Sequence, residues 1–435
     1  MDSGPETIER VDLAESSDGV LARFRHRPRS SAKAPERATP VERLRTARLT
    51  GRVSVLVPTY NRGPMLSECL ASIMHQTVSP HQVIVVDDGS TDDTAQRVAK
   101  FGPRVQYLYQ ENRGKAHALN TALARVTGEF VWLFDDDDVA LPTAIASRVA
   151  IMDATPDAEV VLSKHYWGAS GSDGRIEVRE KATWPSIDSS DLLFTLMRGC
   201  FTSLQGALVR TECYRRIGPF REELLRSQDY EMLLRLARNC KVVLLDRPTF
   251  VVRRHDGERG PAPIRHSEAA KEQHWARYDA MIGQGLRQEA SLGEYLTPPI
   301  TGTLTLAQTR DALLNRMSVM ASKGLGREFV EDAIAFADAS DDRQFELTAE
   351  QRRAAVAAVQ QRYFLLSVVP QPAELVRRAR ALAQRPLGRP LLRAFVRGLL
   401  GLANWGARSA HQRWQILRLA ALLAWLGWGP RVRRR

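Results

Sequence analysis

From Val53 onward, short apolar runs alternate with stretches of helical periodicity, and this rhythm leaves the chain few ways to fold. Runs at 53–57, 83–86, 105–109, 130–134 and 160–162 have strand length and are bounded by turn residues. Helices are expected between them at 64–75, 92–101, 114–126 and 142–154, with Pro64 and Pro142 at first-turn positions where a missing N–H costs nothing. Strand alternating with helix predicts an α/β domain: a mainly parallel sheet flanked by helices on both faces. Ligands of such sheets bind beyond the carboxyl ends of the strands.

After Trp167 the pattern loosens. A polar loop is expected over 168–188, followed by a strand at 206–209, helices at 211–217 and 227–239, and strands at 242–245 and 249–252. Beyond Thr305 the chain reads as helical throughout. The resulting organisation is a disordered leader at 1–50, the α/β domain at 51–258, a linker and helix at 259–304, a helical region at 305–371 and an Arg-rich amphipathic helical tail at 372–435.

Two strands end in clustered acids: Val-Val-Asp-Asp-Gly-Ser-Thr-Asp at 85–92 and Val-Trp-Leu-Phe-Asp-Asp-Asp-Asp at 131–138. Neighbouring carboxylates repel, so such a cluster is tolerable where solvent or a bound cation neutralises it. A hard divalent ion holding a phosphate would do so. The alternative is a polar turn in which Asp138 caps the following helix. The first strand exits through Pro58-Thr59-Tyr60-Asn61-Arg62, with no Gly-x-Gly-x-x-Gly and no Gly-Lys-Ser/Thr loop, so any phosphate must be held by metal and cationic side chains. Arg113 and Lys115, at the start of an expected helix, are such cations, although solvated helix-start residues look the same.

Composition narrows the partners. The net charge of +12 sits unevenly: Pro372 to Arg435 holds fourteen arginines against one acid, Glu374, which leaves residues 1–371 close to neutral. The region carrying the acids is therefore no basic nucleic-acid-binding surface, and no nucleic acid is expected as partner. Cys69, Cys200, Cys213 and Cys240 are scattered, without a Cys-x-x-Cys pair, against structural zinc or a disulfide framework. The opening Met-Asp-Ser-Gly-Pro-Glu lacks the basic start and apolar core of a signal peptide. A cytoplasmic location is the expectation.

Read in order, these segments resemble family 2 glycosyltransferases of the GT-A (Rossmann-like) fold. The matching pieces are Val55 to Arg62, Val85 to Asp92, Asn112-Arg113-Gly114 with Ala118 and Asn120, Phe134 to Asp138 with Leu141-Pro142, and Gln228-Asp229-Tyr230-Glu231 with Arg235 and His255. The resemblance covers about residues 52–256 and implies an inverting, metal-dependent transfer of sugar from a nucleotide donor, most simply a UDP-sugar, to the hydroxyl of a glycan, glycolipid or other acceptor. It implies that Pro58, Thr59, Tyr60, Asn61, Arg62, Asp87, Asp88 and Lys115 bind the donor nucleotide. Asp135 and Asp136 would join them, and Asp137 with His255 would serve a Mg2+ or Mn2+ ion. It implies that Asp229 is the catalytic base, with Gln228 standing where the family more often has Glu, and that Trp184, Phe201 and Gln205 lie near the acceptor. A non-catalytic nucleotide-sugar-binding or scaffolding protein is the second reading.

The tail interleaves arginine with Phe395, Leu399, Leu400, Trp405, Trp414, Ile416, Leu417, Trp425 and Trp428. Its most apolar stretch, 414–429, is broken by Arg418 and short for a membrane span. Two forms fit: an in-plane helix over 391–435 on an anionic membrane, at the inner face of the plasma membrane, or a basic bundle with Leu and Trp in its core.

Overall fold

The structure is a computed structural model; it describes residues 51–254, 268–339, 346–361, 363–364, 372–405 and 409–428. The leader at 1–50, His255 and the last seven residues, 429–435, lie outside the described residues.

The chain divides into two compact units. The first comprises the described residues through Thr183, Gln205–Gly218 and the strand from Val243. Its framework is a nine-stranded sheet in the order β3-β2-β1-β4-β8-β6-β9-β5, with β7 paired to β6. The strands are β1 Val53–Thr59, β2 Gln82–Asp87, β3 Gln106–Tyr109, β4 Phe130–Leu133, β5 Val139–Ala140, β6 Val160–Ser170, β7 Ile176–Lys181, β8 Ala207–Arg210 and β9 Val242–Arg254. β1 lies parallel to both β2 and β4, and β2 parallel to β3. β8 then runs antiparallel between β4 and β6, pairing Trp132 with Leu208 and Val161 with Leu208. The α/β expectation holds, with a refinement: the sheet is mixed, because the return through β8 and the β6–β7 hairpin adds antiparallel neighbours to the parallel half.

β1 is buried along its whole length, as its unbroken apolar run requires of a strand covered on both faces. Helices α1 Gly63–Met74, α2 Thr94–Ala99, α3 Lys115–Leu123 and α4 Ala144–Ala154 follow strands or turns of the parallel half. α1 buries Leu66, Leu70 and Ile73, one face of a 3.6-residue period, each side chain worth roughly 1.5–3 kcal/mol. Trp132 and Phe134 meet edge to face at 4.8 Å, and Phe134 meets Phe250 at 6.0 Å, so aromatic packing supports the strand that leads into the acids.

The structure departs from the sequence expectation in two places. The segment expected as a polar loop contains the end of β6 and the whole of β7. Ile-Glu-Val-Arg-Glu-Lys buries Ile176 but turns its charges to solvent, so a half-exposed strand reads as polar. The strands expected at 242–245 and 249–252 are one strand, β9, which continues through Pro248.

The second unit comprises Trp184–Leu204, Pro219–Val242 and the described residues beyond Glu258. It is helical: α5 Leu192–Arg198, α7 Gln228–Asn239, α8 Glu268–Glu289, α9 Leu306–Ser322, α10 Gly326–Asp338, α11 Ala349–Ala358, α12 Pro372–Ala383, α13 Gly388–Trp405 and α14 Ala410–Trp428, while α6 Thr211–Ile217 stays with the first unit. Thr305 with Gln308, and Thr348 with Gln351, close capping boxes that start α9 and α11. In the tail, Leu391, Phe395, Leu399, Ile416 and Leu423 are buried, as a bundle requires, whereas Trp414, Trp425 and Trp428 are exposed. Among the described residues no helix is long and apolar enough to cross a membrane.

Candidate active site

The strand order reverses direction at β1: the chain goes from β1 outward to β2 and β3, then returns to place β4 on the other side. The carboxyl ends of β1 and β4 therefore mark a topological switch point, the place where open α/β sheets bind ligands. Thr59 and Arg62 leave β1 there, and Asp135 to Asp138 leave β4.

The four acids are used differently. Asp136 is buried, accepts from Thr59 Oγ1 at 2.7 Å and pairs with Arg62 at 2.9 Å. Burial pushes its carboxyl above the ordinary value; Arg62 opposes this and Asp137 adds to it. Asp137 takes a second bond from the same Arg62 nitrogen at 2.9 Å, and Lys115 reaches Asp135 at 2.7 Å. Burial alone would lower the Arg62 pKa, but the aspartates around it hold it well above its ordinary range. Carboxylate oxygens of Asp135, Asp137 and Asp138 lie within 4.8 Å of one another. Three convergent oxygens facing two cationic side chains fit a hard divalent cation, with Arg62 and Lys115 supplying positive charge in the same cluster.

Asp138 does not cap a helix. Its oxygens accept from Arg253 N at 2.9 Å and from Gln205 Nε2 at 3.1 Å, and the residue preceding α4 is Thr143. Both donors arrive from strands or turns far along the chain, which local sequence could not reveal. Arg253 is fully buried and also donates from Nε to the Asp137 carbonyl at 2.9 Å and from a terminal nitrogen to Ser170 Oγ at 2.8 Å, and it pairs with Glu68. Glu68 in turn accepts from Ile176 N at 3.0 Å. The acidic turn is thus fastened to α1 and to the β6–β7 hairpin through one guanidinium. Sequence reasoning missed Arg253 and Glu68; the only signal was an arginine two residues before the family's histidine position.

Asp87 and Asp88 organise the neighbouring loops. Asp87 accepts from Ser90 N at 2.8 Å and Tyr107 Oη at 2.6 Å, and burial, then this bond, raises the Tyr107 phenol. Asp88 accepts from Gln110 Nε2 at 2.7 Å, Arg113 N at 2.9 Å and Gly114 N at 2.8 Å, so it occupies the amides that lead into α3. Asn61, at φ 51°, accepts from Thr91 N at 2.7 Å while its own N–H donates to Ser90 Oγ at 2.8 Å. Gly89, at φ 88°, has room only for hydrogen, because a Cβ would stand 2.9 Å from the Asn112 nitrogen. Pro58, within β1, pairs with Val86, and Tyr60 follows the strand half-buried.

Asp229 belongs to the second unit, in the first turn of α7 behind Ser227 at φ 60°. Its neighbours are anchored firmly. Tyr230 Oη donates to the Leu196 carbonyl at 2.5 Å and accepts from the buried Lys323 ammonium at 2.6 Å, while Glu231 pairs with Arg235 at 2.9 Å and Arg221 at 3.2 Å. Burial lowers the Lys323 pKa. In the same unit Trp184 and Phe201 pack edge to face at 5.3 Å, whereas Gln205 lies in the first unit against Asp138.

The sequence model of the glycosyl transferase family 2 matches residues 54–208, a span that opens in β1 and contains the whole acidic cluster. Those residues are a family 2 glycosyltransferase domain. An uncharacterized glycosyltransferase of Rickettsia prowazekii is 28% identical over 194 residues, covering 43% of this chain and 58% of that protein. Glycosyltransferase GlyG of Streptococcus pneumoniae is 36% identical over 118 residues, covering 26% of this chain and 39% of its own length. The chain thus spans less than two thirds of the length of these relatives. Among solved structures, S. aureus TarS 1–349 in complex with UDP-GlcNAc aligns over 75% of this chain and 89% of its own, at 20% identity and a TM-score of 0.48. Within the family 2 domain, the acids, Arg62 and Lys115 share one edge of the sheet.

Proposed function

We propose that the protein is a metal-dependent, inverting glycosyltransferase that moves a sugar from a nucleotide donor, a UDP-sugar first among the candidates, to an acceptor hydroxyl in glycan, polysaccharide or glycolipid synthesis. The observation that carries this reading is the convergence of Asp135, Asp137 and Asp138 beside Arg62 and Lys115 at the switch point of the sheet. A Mg2+ or Mn2+ ion held by these aspartates, with His255 as a further ligand, would offset the charge of a departing nucleoside diphosphate. Arg62 and Lys115 would hold the diphosphate oxygens, and the loops organised by Asp87 and Asp88, with Pro58 to Asn61, would enclose the nucleoside. Asp229 would take the proton of the acceptor hydroxyl as its oxygen attacks the anomeric carbon opposite the leaving group, which inverts that centre. The bond from the anomeric carbon to the diphosphate breaks as the new glycosidic bond forms. The protein would act in the cytoplasm or at the inner face of the plasma membrane.

The test is calorimetric titration with UDP-, GDP-, dTDP- and CMP-linked sugars, with and without Mn2+. Metal-dependent binding of one nucleotide class by the native chain, lost in Asp137→Ala, is the expected result. A folded protein that binds none of them overturns the reading and favours a scaffolding role.

A further inference from the structure

Helix α14 is apolar around most of its circumference, and the second unit buries one side of it. Ile416, Leu419, Ala420, Leu423 and Leu426 are inside. Trp414, Trp425 and Trp428 stay 56%, 59% and 54% exposed, and Leu417 and Leu422 stay 40% and 38% exposed. At about 100° per residue these five side chains share one face of the helix. Three half-bare indoles alone leave on the order of 400 Å² of aromatic surface in water, as much as the largest patch on a typical monomer.

The charge around this face identifies what covers it. Arg413 and Arg418 are exposed on the same helix, and the Arg418 guanidinium lies 5.4 Å from the Trp414 ring centroid. From Pro372 to the end the sequence has fourteen arginines and a single acid, Glu374. A second copy would oppose one basic, tryptophan-faced helix to another with no acid to answer its arginines. A bilayer with anionic headgroups answers both features: indoles favour the boundary between headgroups and acyl chains, and guanidinium groups bind lipid phosphates. Arg418 interrupts the apolar run and the helix is only about 28 Å long, so it suits lying on the surface rather than spanning it.

We propose that the outward face of α14 (Trp414, Leu417, Leu422, Trp425 and Trp428, with Arg413 and Arg418) docks the protein in plane on an anionic lipid surface. This surface is independent of the donor-site chemistry. The test is co-sedimentation of the full chain with vesicles of phosphatidylcholine alone and of phosphatidylcholine mixed with phosphatidylglycerol. The native protein partitions onto the anionic vesicles, and the double variant Trp425→Ser/Trp428→Ser, both positions being exposed, binds at least about tenfold more weakly while keeping its helical circular-dichroism spectrum. Arg413→Gln/Arg418→Gln weakens binding to the anionic vesicles and leaves the weaker association with neutral ones unchanged. Retention of the native chain in the supernatant overturns the proposal, as does unaltered binding by the tryptophan double variant. So does a native dimer that this variant splits, seen by sedimentation equilibrium, because the face would then join two copies. No sugar transfer is measured, so a negative result leaves the transferase reading standing.

Discussion

Asp137 and Asp229 divide the proposed chemistry between them, and single substitutions separate their roles. Asp137→Ala removes a carboxylate from the convergent cluster, and metal-dependent donor binding measured by calorimetry disappears. Asp229→Asn keeps donor binding and lowers kcat by about 10²–10⁴, the usual worth of a positioned base; equal loss of binding in both variants would show the roles to be misassigned. A third residue yields a pH prediction. His165 is buried between Trp167 and Phe250, with no hydrogen-bond partner on either ring nitrogen among the described residues, and burial, then nearby Arg254, lowers its pKa to about 4. Between that value and the ordinary one near 6.5, the unfolded chain binds the proton that the folded chain refuses. Stability therefore falls as pH drops through this window, by up to about 3 kcal/mol. Urea unfolding of native protein and His165→Phe at about pH 7 and about pH 4.5 should show that loss in the native chain and little of it in the variant. Asp135, Asp137, Arg62 and Lys115 could be selected from sequence because each lies in a short, ordered motif. The partners of Asp138 could not, since Gln205 and Arg253 stand 67 and 115 residues away along the chain.

Among the elements, the parallel half of the sheet was the most legible, because continuous Val and Leu runs such as β1 arise where both faces are covered. The β6–β7 hairpin was the least legible, since its outer face is charged and Gly168 interrupts its register with β7. That hairpin nevertheless holds the acidic turn through Arg253, which predicts a stability effect away from any ligand. Arg253→Lys keeps one charge but loses the planar fork that serves Asp137, Ser170 and Glu68 together. We expect a loss of about 2–4 kcal/mol in chemical denaturation. A double-mutant cycle with Glu68→Gln should return a coupling energy of at least about 1 kcal/mol if the two side chains act as one clasp. In the tail, composition left a membrane-surface helix and a bundle open; α14 has the buried aliphatic side a bundle requires, but its Trp414, Trp425 and Trp428 are exposed rather than in the core.

At the scale of the whole molecule, the helical unit relies on polar anchors set among apolar side chains. Asp332 is fully buried and holds Arg287 at 2.6 Å and Arg316 at 2.7 Å, joining α8, α9 and α10. Asp332→Ala leaves both guanidinium groups without that carboxylate and should cost about 3–5 kcal/mol, read as a lowered midpoint in guanidinium unfolding. The segmented path of the first unit has a consequence for how the protein is made. Its sheet cannot close between β4 and β6 until β8 arrives, and β9 follows only after the chain has contributed Pro219–Val242 to the other unit. During synthesis the parallel strands emerge first and wait with an open antiparallel side, a slow, long-range closure of the kind that leaves strand edges exposed to aggregation. A ribosome stalled before β9 has left the exit tunnel would therefore present a protease-sensitive nascent chain. Resistance of the first unit should appear in one step once that strand is available to its sheet.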